Sequence, residues 1–167
     1  ARGRSSFLAK SSWEDFAKKL DRPLAAFIQI YKPAYYERVG LRYINAFSRK
    51  DLDLEGVPFR ELFQPCYLGI LGEEDVNEAS TTRCSMDVEI ALRGGCRANA
   101  GPGMVKRGGQ EDKEVRFILD NDLFMSGNVP INLSAGAMQT LHQQAGSLFL
   151  GAVTQRLYDA LEPLELL

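Results

Sequence analysis

From Thr82 onward the even positions Thr82, Cys84, Met86, Val88, Ile90 and Leu92 are mostly apolar, whereas Arg83, Ser85, Asp87 and Glu89 are polar. Successive strand residues point to opposite faces, so this alternation describes a strand with one buried and one wet side. A parallel sheet, covered on both faces, would instead read as a continuous apolar run. The alternation therefore restricts the chain to antiparallel sheet with a cover on one face. Gly94 and Gly95 then supply a turn into Cys96 to Val105, which completes a hairpin.

The remaining elements follow from periodicity. Trp13, Phe16, Leu20, Leu24, Phe27 and Ile28 recur at helical steps behind Ser11 and Ser12, either of which can cap a helix with Glu14 and Asp15 in its first turn. Pro23 inside that pattern predicts a kink or a junction of two short helices. Pro33 ends the helix, and Tyr35 to Phe47 reads as a strand, as does Glu114 to Phe124. Ser134 is placed as the cap of a long helix whose stripe runs through Met138, Leu141, Ala145, Leu148, Phe149, Ala152, Val153, Leu157 and Leu161. Lys106 to Lys113, with two glycines and five charges, reads as a mobile loop. Asp51 to Ala79 lacks periodicity but holds too many large apolar residues to be a linker, so it is predicted to be an irregular excursion packed on the body. The sum is a single α+β domain over 1–167, an antiparallel sheet of four or more strands packed against the long C-terminal helix and the N-terminal helix.

Composition excludes several classes. Twenty basic against 22 acidic residues leave a net charge of −2, too little to draw in nucleic acid or an anionic membrane by overall field. Cys66, Cys84 and Cys96 are odd in number and form no Cys-x-x-Cys pair, which favours reduced, buried thiols of a cytoplasmic protein over a disulfide framework or a zinc site. No apolar run approaches the ~18 residues of a membrane span, and no signal peptide begins at Ala1. The missing starting methionine fits a processed or truncated piece. No cofactor and no metal are implied.

Chemistry-bearing residues are few. Arg38 and Arg42 share a strand face about 13 Å apart, with Gly40 between them leaving that face open. They could grip an anionic ligand, or form cross-strand ion pairs. Asp120 and Asp122 share a face of their own strand roughly 6 to 7 Å apart, a spacing open to a hard cation or an acid–base pair and equally to pairing with Arg38, Arg42 or Arg116. His142 is the only histidine, so any Ser-His-Asp or Cys-His site would have to use it, with Asp120 or Asp122 as orienter and a serine or Cys84 as nucleophile. No Gly-x-Ser-x-Gly elbow supports that, and a histidine packed at the edge of a helix stripe is the simpler reading. The run GGCRANAGPG lacks Walker spacing, and Lys106-Arg107 is a basic tip without interleaved aromatics.

ERVGLRYIN behind a helix containing SWEDF, a strand ending FILDNDLF and a helix reading LHQQAGSLFLGAVTQRL together resemble a sporadically distributed family of uncharacterised prokaryotic proteins. The family's Arg-Ile/Val-Gly-Leu-Arg-Tyr-Ile-Asn strand corresponds to Arg38 to Asn45 here, its acidic strand to Asp120 to Phe124, and its Leu-His helix to Leu141 to Thr154. Ala46 stands where the family often has arginine, and Asn121 replaces a usual apolar residue. The resemblance implies a cytoplasmic α+β protein, with a further N-terminal strand and helix in relatives that this chain lacks, and it carries no activity.

Two readings of function follow. The first is a non-enzymatic binding or interaction module that forms a homodimer or docks a protein partner through the sheet or the apolar stretch Tyr67 to Leu71. The second is a small-molecule enzyme or anionic-ligand binder with a site between sheet and helix, built from Arg38, Arg42, Tyr43, Asn45, Asp120, Asp122 and His142. They separate on whether Arg38 and Arg42 face a concavity or are saturated by Asp120 and Asp122.

Overall fold

The computed structural model describes residues 12–81, 83–106 and 114–162, the side chains of 102–106 excepted, and divides into two compact units at Tyr35 and Tyr36. The first unit holds helix α1, Trp13–Tyr31. The Ser12 hydroxyl accepts from the Asp15 N–H at 3.2 Å, with Glu14 and Asp15 in the first turn where the helix dipole favours anions. The helix runs through Pro23 as one element and closes on Lys32, whose left-handed backbone (φ 46°) lets its N–H reach the Ile28 carbonyl at 2.9 Å. Trp13 and Phe16, and Phe27 and Tyr31, stack along it with ring centroids 5.9 and 5.1 Å apart.

The second unit is built on one antiparallel sheet: β1 (Tyr35–Phe47), β2 (Arg83–Ser85), β3 (Val88–Ala91), β4 (Arg97–Lys106) and β5 (Val115–Pro130). The strand order is β1-β5-β4-β2, with β3 also paired to β4. β4 and β5 form the long central ladder, from Arg97 opposite Phe124 to Lys106 opposite Val115. The α+β antiparallel architecture and the bounds of β1 agree with the sequence pattern. The predicted single strand over Thr82 to Leu92 does not: it is two short strands, with Arg83 to Ser85 opposite Val105 to Gly103 and Val88 to Ala91 opposite Ala100 to Arg97. The break at Met86 and Asp87 falls across from Gly101-Pro102, and proline has no N–H to give to a ladder. The segment Lys106 to Lys113 lies, beyond Lys106, outside the described residues.

The helical layer follows. Ile131–Leu133 makes one 3₁₀ turn into α3, Ser134–Ala152. Ser134 is not the cap: its backbone is already helical (φ −62°, ψ −37°), and its hydroxyl donates back to the Ile131 carbonyl at 2.8 Å. Ala137, Leu141, Ala145 and Ala152 are its buried apolar residues. The helix stops at Val153, which turns extended and bridges to Phe63; Thr154 then caps α4, Gln155–Ala160, accepting from the Leu157 N–H. The Thr154 hydroxyl also donates to the Glu61 carbonyl at 2.8 Å.

The excursion between β1 and β2 is core, not appendage. A 3₁₀ turn at Phe59–Glu61, the short helix α2 (Pro65–Leu68) and a second turn at Gly69–Gly72 bury Phe59, Leu62, Phe63, Leu68 and Leu71. Phe63 lies at 4.0 Å from Phe117 of β5, 5.1 Å from Phe47 of β1 and 6.1 Å from Phe59, ring centre to ring centre. Arg49 pins the loop by donating to the Val57 carbonyl at 3.0 Å and to Glu78 at 2.9 Å, while Glu78 also accepts from the Phe59 N–H. The Tyr67 to Leu71 stretch is largely absorbed this way, leaving Ile70 exposed. All three cysteines are free, but Cys66 at the start of α2 is exposed, against the expectation of buried thiols; Cys96 is buried and Cys84 half-buried. Among the described residues no helix is long and apolar enough to cross a membrane.

Candidate functional site

Strand parity decides where each nominated residue goes. On β1 the even positions from 38 to 46 are exposed, while 39, 41 and 47 are buried and 43 and 45 half-buried. Arg38 donates through Nη2 to both carboxylate oxygens of Asp122 at 2.8 Å and lies over the Phe124 ring, 4.6 Å from its centroid. To get there the guanidinium crosses Gly40: a Cβ on that residue would stand 3.0 Å from Arg38 Cζ, so glycine is what gives the arginine its path. Arg42 meets Asp120 fork to fork, Nε to Oδ1 at 2.7 Å and Nη2 to Oδ2 at 2.5 Å. The Arg42 hydrogen bond, helped by its charge, holds the Asp120 carboxyl below the usual carboxylate range despite partial desolvation, and the same bond raises Arg42.

The open face continues across β4 and β3. Asn99 sits opposite Asp122, and Arg97 opposite Phe124. Arg97 pairs with Glu89 at 2.9 Å. Basic and acidic groups thus form a chequered row across the strands, each cation answered by an anion. Side chains of Arg38 and Arg42 remain 47% and 59% exposed, so these pairs hold geometry more than they hold the fold together.

The odd positions of β1 face the helical layer. Tyr43 and the His142 ring of α3 share a hydrogen bond between the phenol oxygen and Nδ1 at 2.9 Å, and burial pushes the Tyr43 phenol up. Asn45, half-buried, belongs to the same face by alternation. The seven nominated residues therefore do not converge. Arg38, Arg42, Asp120 and Asp122 are brought together on one side of the sheet; Tyr43, Asn45 and His142 lie on the other. Neither aspartate is available to orient His142, whose ring answers a tyrosine, and Cys84 packs against the aromatic core. Among the described residues no group of three or more His, Cys, Asp or Glu is placed to hold a metal.

Sequence reasoning passed over Arg97, Glu89 and Asn99. Their signal was available, because a hairpin through Gly94-Gly95 puts alternate residues of both arms on the same face as Asp122. It also passed over the clasp at the end of β1, where the Ser48 hydroxyl donates to both Glu114 oxygens at 2.9 and 2.8 Å and Arg116 lies 3.4 Å from the same carboxylate. A surface hollow at the α3–α4 junction is lined by Leu150, Val153, Thr154, Gln155 and Tyr158, none of them nominated. Comparison of the chain with family models, with curated proteins and with solved structures gives no match.

Proposed function

We propose that the chain is a non-enzymatic interaction module that presents its sheet to a protein partner. The observation that supports this reading is the mutual saturation of Arg38 with Asp122 and Arg42 with Asp120. An anionic ligand at these arginines would have to displace a carboxylate already in place, whereas an extended polar surface of alternating charge can meet another protein surface without rearrangement. The grouping of Arg38 with Asp122 and Arg42 with Asp120, apart from Tyr43 with His142, speaks against the single convergent site of the competing reading.

A thermal-shift screen of anionic metabolites tests it. A ligand at 100 times its dissociation constant would stabilise the protein by about 2.7 kcal/mol, which for a chain of this length is a melting shift of roughly 5 to 11 °C. The module reading predicts no such shift. A metabolite that raises the wild-type melting temperature by that amount and fails to raise that of Arg42→Ala would overturn it.

A further inference from the structure

The two edges of the sheet are treated differently. One edge is formed by β2 and β3, three and four residues long, interrupted at Met86 and Asp87 and followed by two glycines with left-handed backbones, Gly94 and Gly95. Short, broken, charged strands are how proteins keep an edge from recruiting another strand. The other edge is β1. It runs 13 residues with no proline, no lysine and no residue of positive φ, and among the described residues β5 is its one neighbour in the sheet. A long, regular edge offers a row of backbone donors and acceptors that only another strand matches in spacing.

Building on the interaction-module reading, we infer that this edge pairs antiparallel with β1 of a second copy, about a two-fold axis at Leu41. Residues opposite each other in an antiparallel pair share a face, so the sequence of β1 selects among registers. Centred on Gly40, Arg38 would oppose the second copy's Arg42, twice. Centred on Arg42, Glu37 would oppose Phe47, which is buried. Centred on Leu41, Arg38 opposes Ile44, Arg42 opposes Gly40, Glu37 opposes Asn45, Val39 opposes Tyr43 and Leu41 opposes itself. No like charges meet, the carboxylate faces an amide, and the apolar positions extend one face across the junction. Ile44, 60% exposed on the open face, gains the aliphatic stem of Arg38 as cover. An isologous strand pair of this kind is closed and does not propagate.

Light scattering over a micromolar concentration series, on wild type, Ile44→Lys and Ile44→Glu, tests the register by charge. Ile44 is exposed, so both variants keep the monomer fold, which near-UV circular dichroism and thermal melts verify. Wild type is expected at twice the mass of the chain. Ile44→Lys faces Arg38 of the second copy at two symmetric places and should weaken the dimer by about tenfold; Ile44→Glu should leave it as tight or tighter. A wild type that stays monomeric across the series overturns the inference, and so does a dimer that both variants weaken equally or that neither changes. None of these outcomes touches the interaction-module reading itself, which stands or falls on the metabolite screen.

Discussion

Phe63→Ala is the substitution that most severely tests the placement of the middle segment. Phe63 is fully buried, and its ring touches three others: Phe117 from β5, Phe47 from β1 and Phe59 from its own segment. Truncation removes the transfer energy of the ring and leaves a cavity, together about 3 to 5 kcal/mol. The upper part of that range applies here, because neighbours drawn from two strands of one sheet cannot collapse into the void and because aromatic pairing adds about 0.5 to 1.5 kcal/mol per contact beyond burial. A stability of about 5 to 15 kcal/mol leaves the variant folded but close to its limit. In urea, with a slope of about 2 kcal/mol/M, the midpoint should fall by about 2 M with the slope unchanged. Phe63→Leu, which keeps much of the volume and loses the ring contacts, should fall about halfway. A loss below about 1 kcal/mol for Phe63→Ala would mean that the segment is not part of the core, and the packing described here would be wrong.

Asp120 has its folded-state pKa depressed by Arg42, so the stability it contributes is present above the unfolded aspartate value near ~3.9 and disappears as pH falls through the folded value. The melting difference between wild type and Asp120→Asn should therefore be constant above about pH 5 and close toward pH 2; a difference that widens on acidification would reverse the sign of the argument. Tyr43→Phe deletes the bond to His142 Nδ1 and should cost about 0.5 to 1.5 kcal/mol in urea unfolding, a cost that should vanish in a His142→Ala background, where the partner is already gone; an equal loss in both backgrounds would show that the bond is not its source. Thr154→Val removes both the cap of α4 and the anchor to the Glu61 carbonyl, for a loss of about 1 to 2 kcal/mol; an unchanged urea midpoint would show that the α3–α4 break does not depend on that hydroxyl.

What could be read in advance was whatever a short window fixes. The Ser12 cap with Glu14 and Asp15 behind it, and β1 bounded by Pro33 and filled by alternating residues, are local signals, and both stand in the fold. What was misread depends on partners distant in the chain. The apolar stripe continues through Leu157 and Leu161, so nothing in its periodicity reports the break at Val153, which comes from a bridge to Phe63 and from Thr154 reaching back to Glu61. Ser134 looks like a cap only if the preceding Ile131–Leu133 turn is ignored. The splitting of the nominated site was in principle legible: 38 and 42 are even, 43 and 45 are odd, and a strand cannot show both sets to one ligand. The pairing of Arg38 with Asp122 and of Arg42 with Asp120 needed β1 and β5 to be neighbours, a fact of topology that strand alternation leaves open.

Amide hydrogen exchange at low and high protein concentration tests most directly the claim that this sheet exists to bind another chain through β1. Backbone amides of Tyr35 to Phe47 that point away from β5 should exchange quickly in dilute solution and gain protection as concentration rises through the micromolar range, while those of Arg83 to Ser85 and Val88 to Ala91 on the blunted edge exchange at one rate throughout. Outward amides of β1 that exchange at the same rate at every concentration would contradict it.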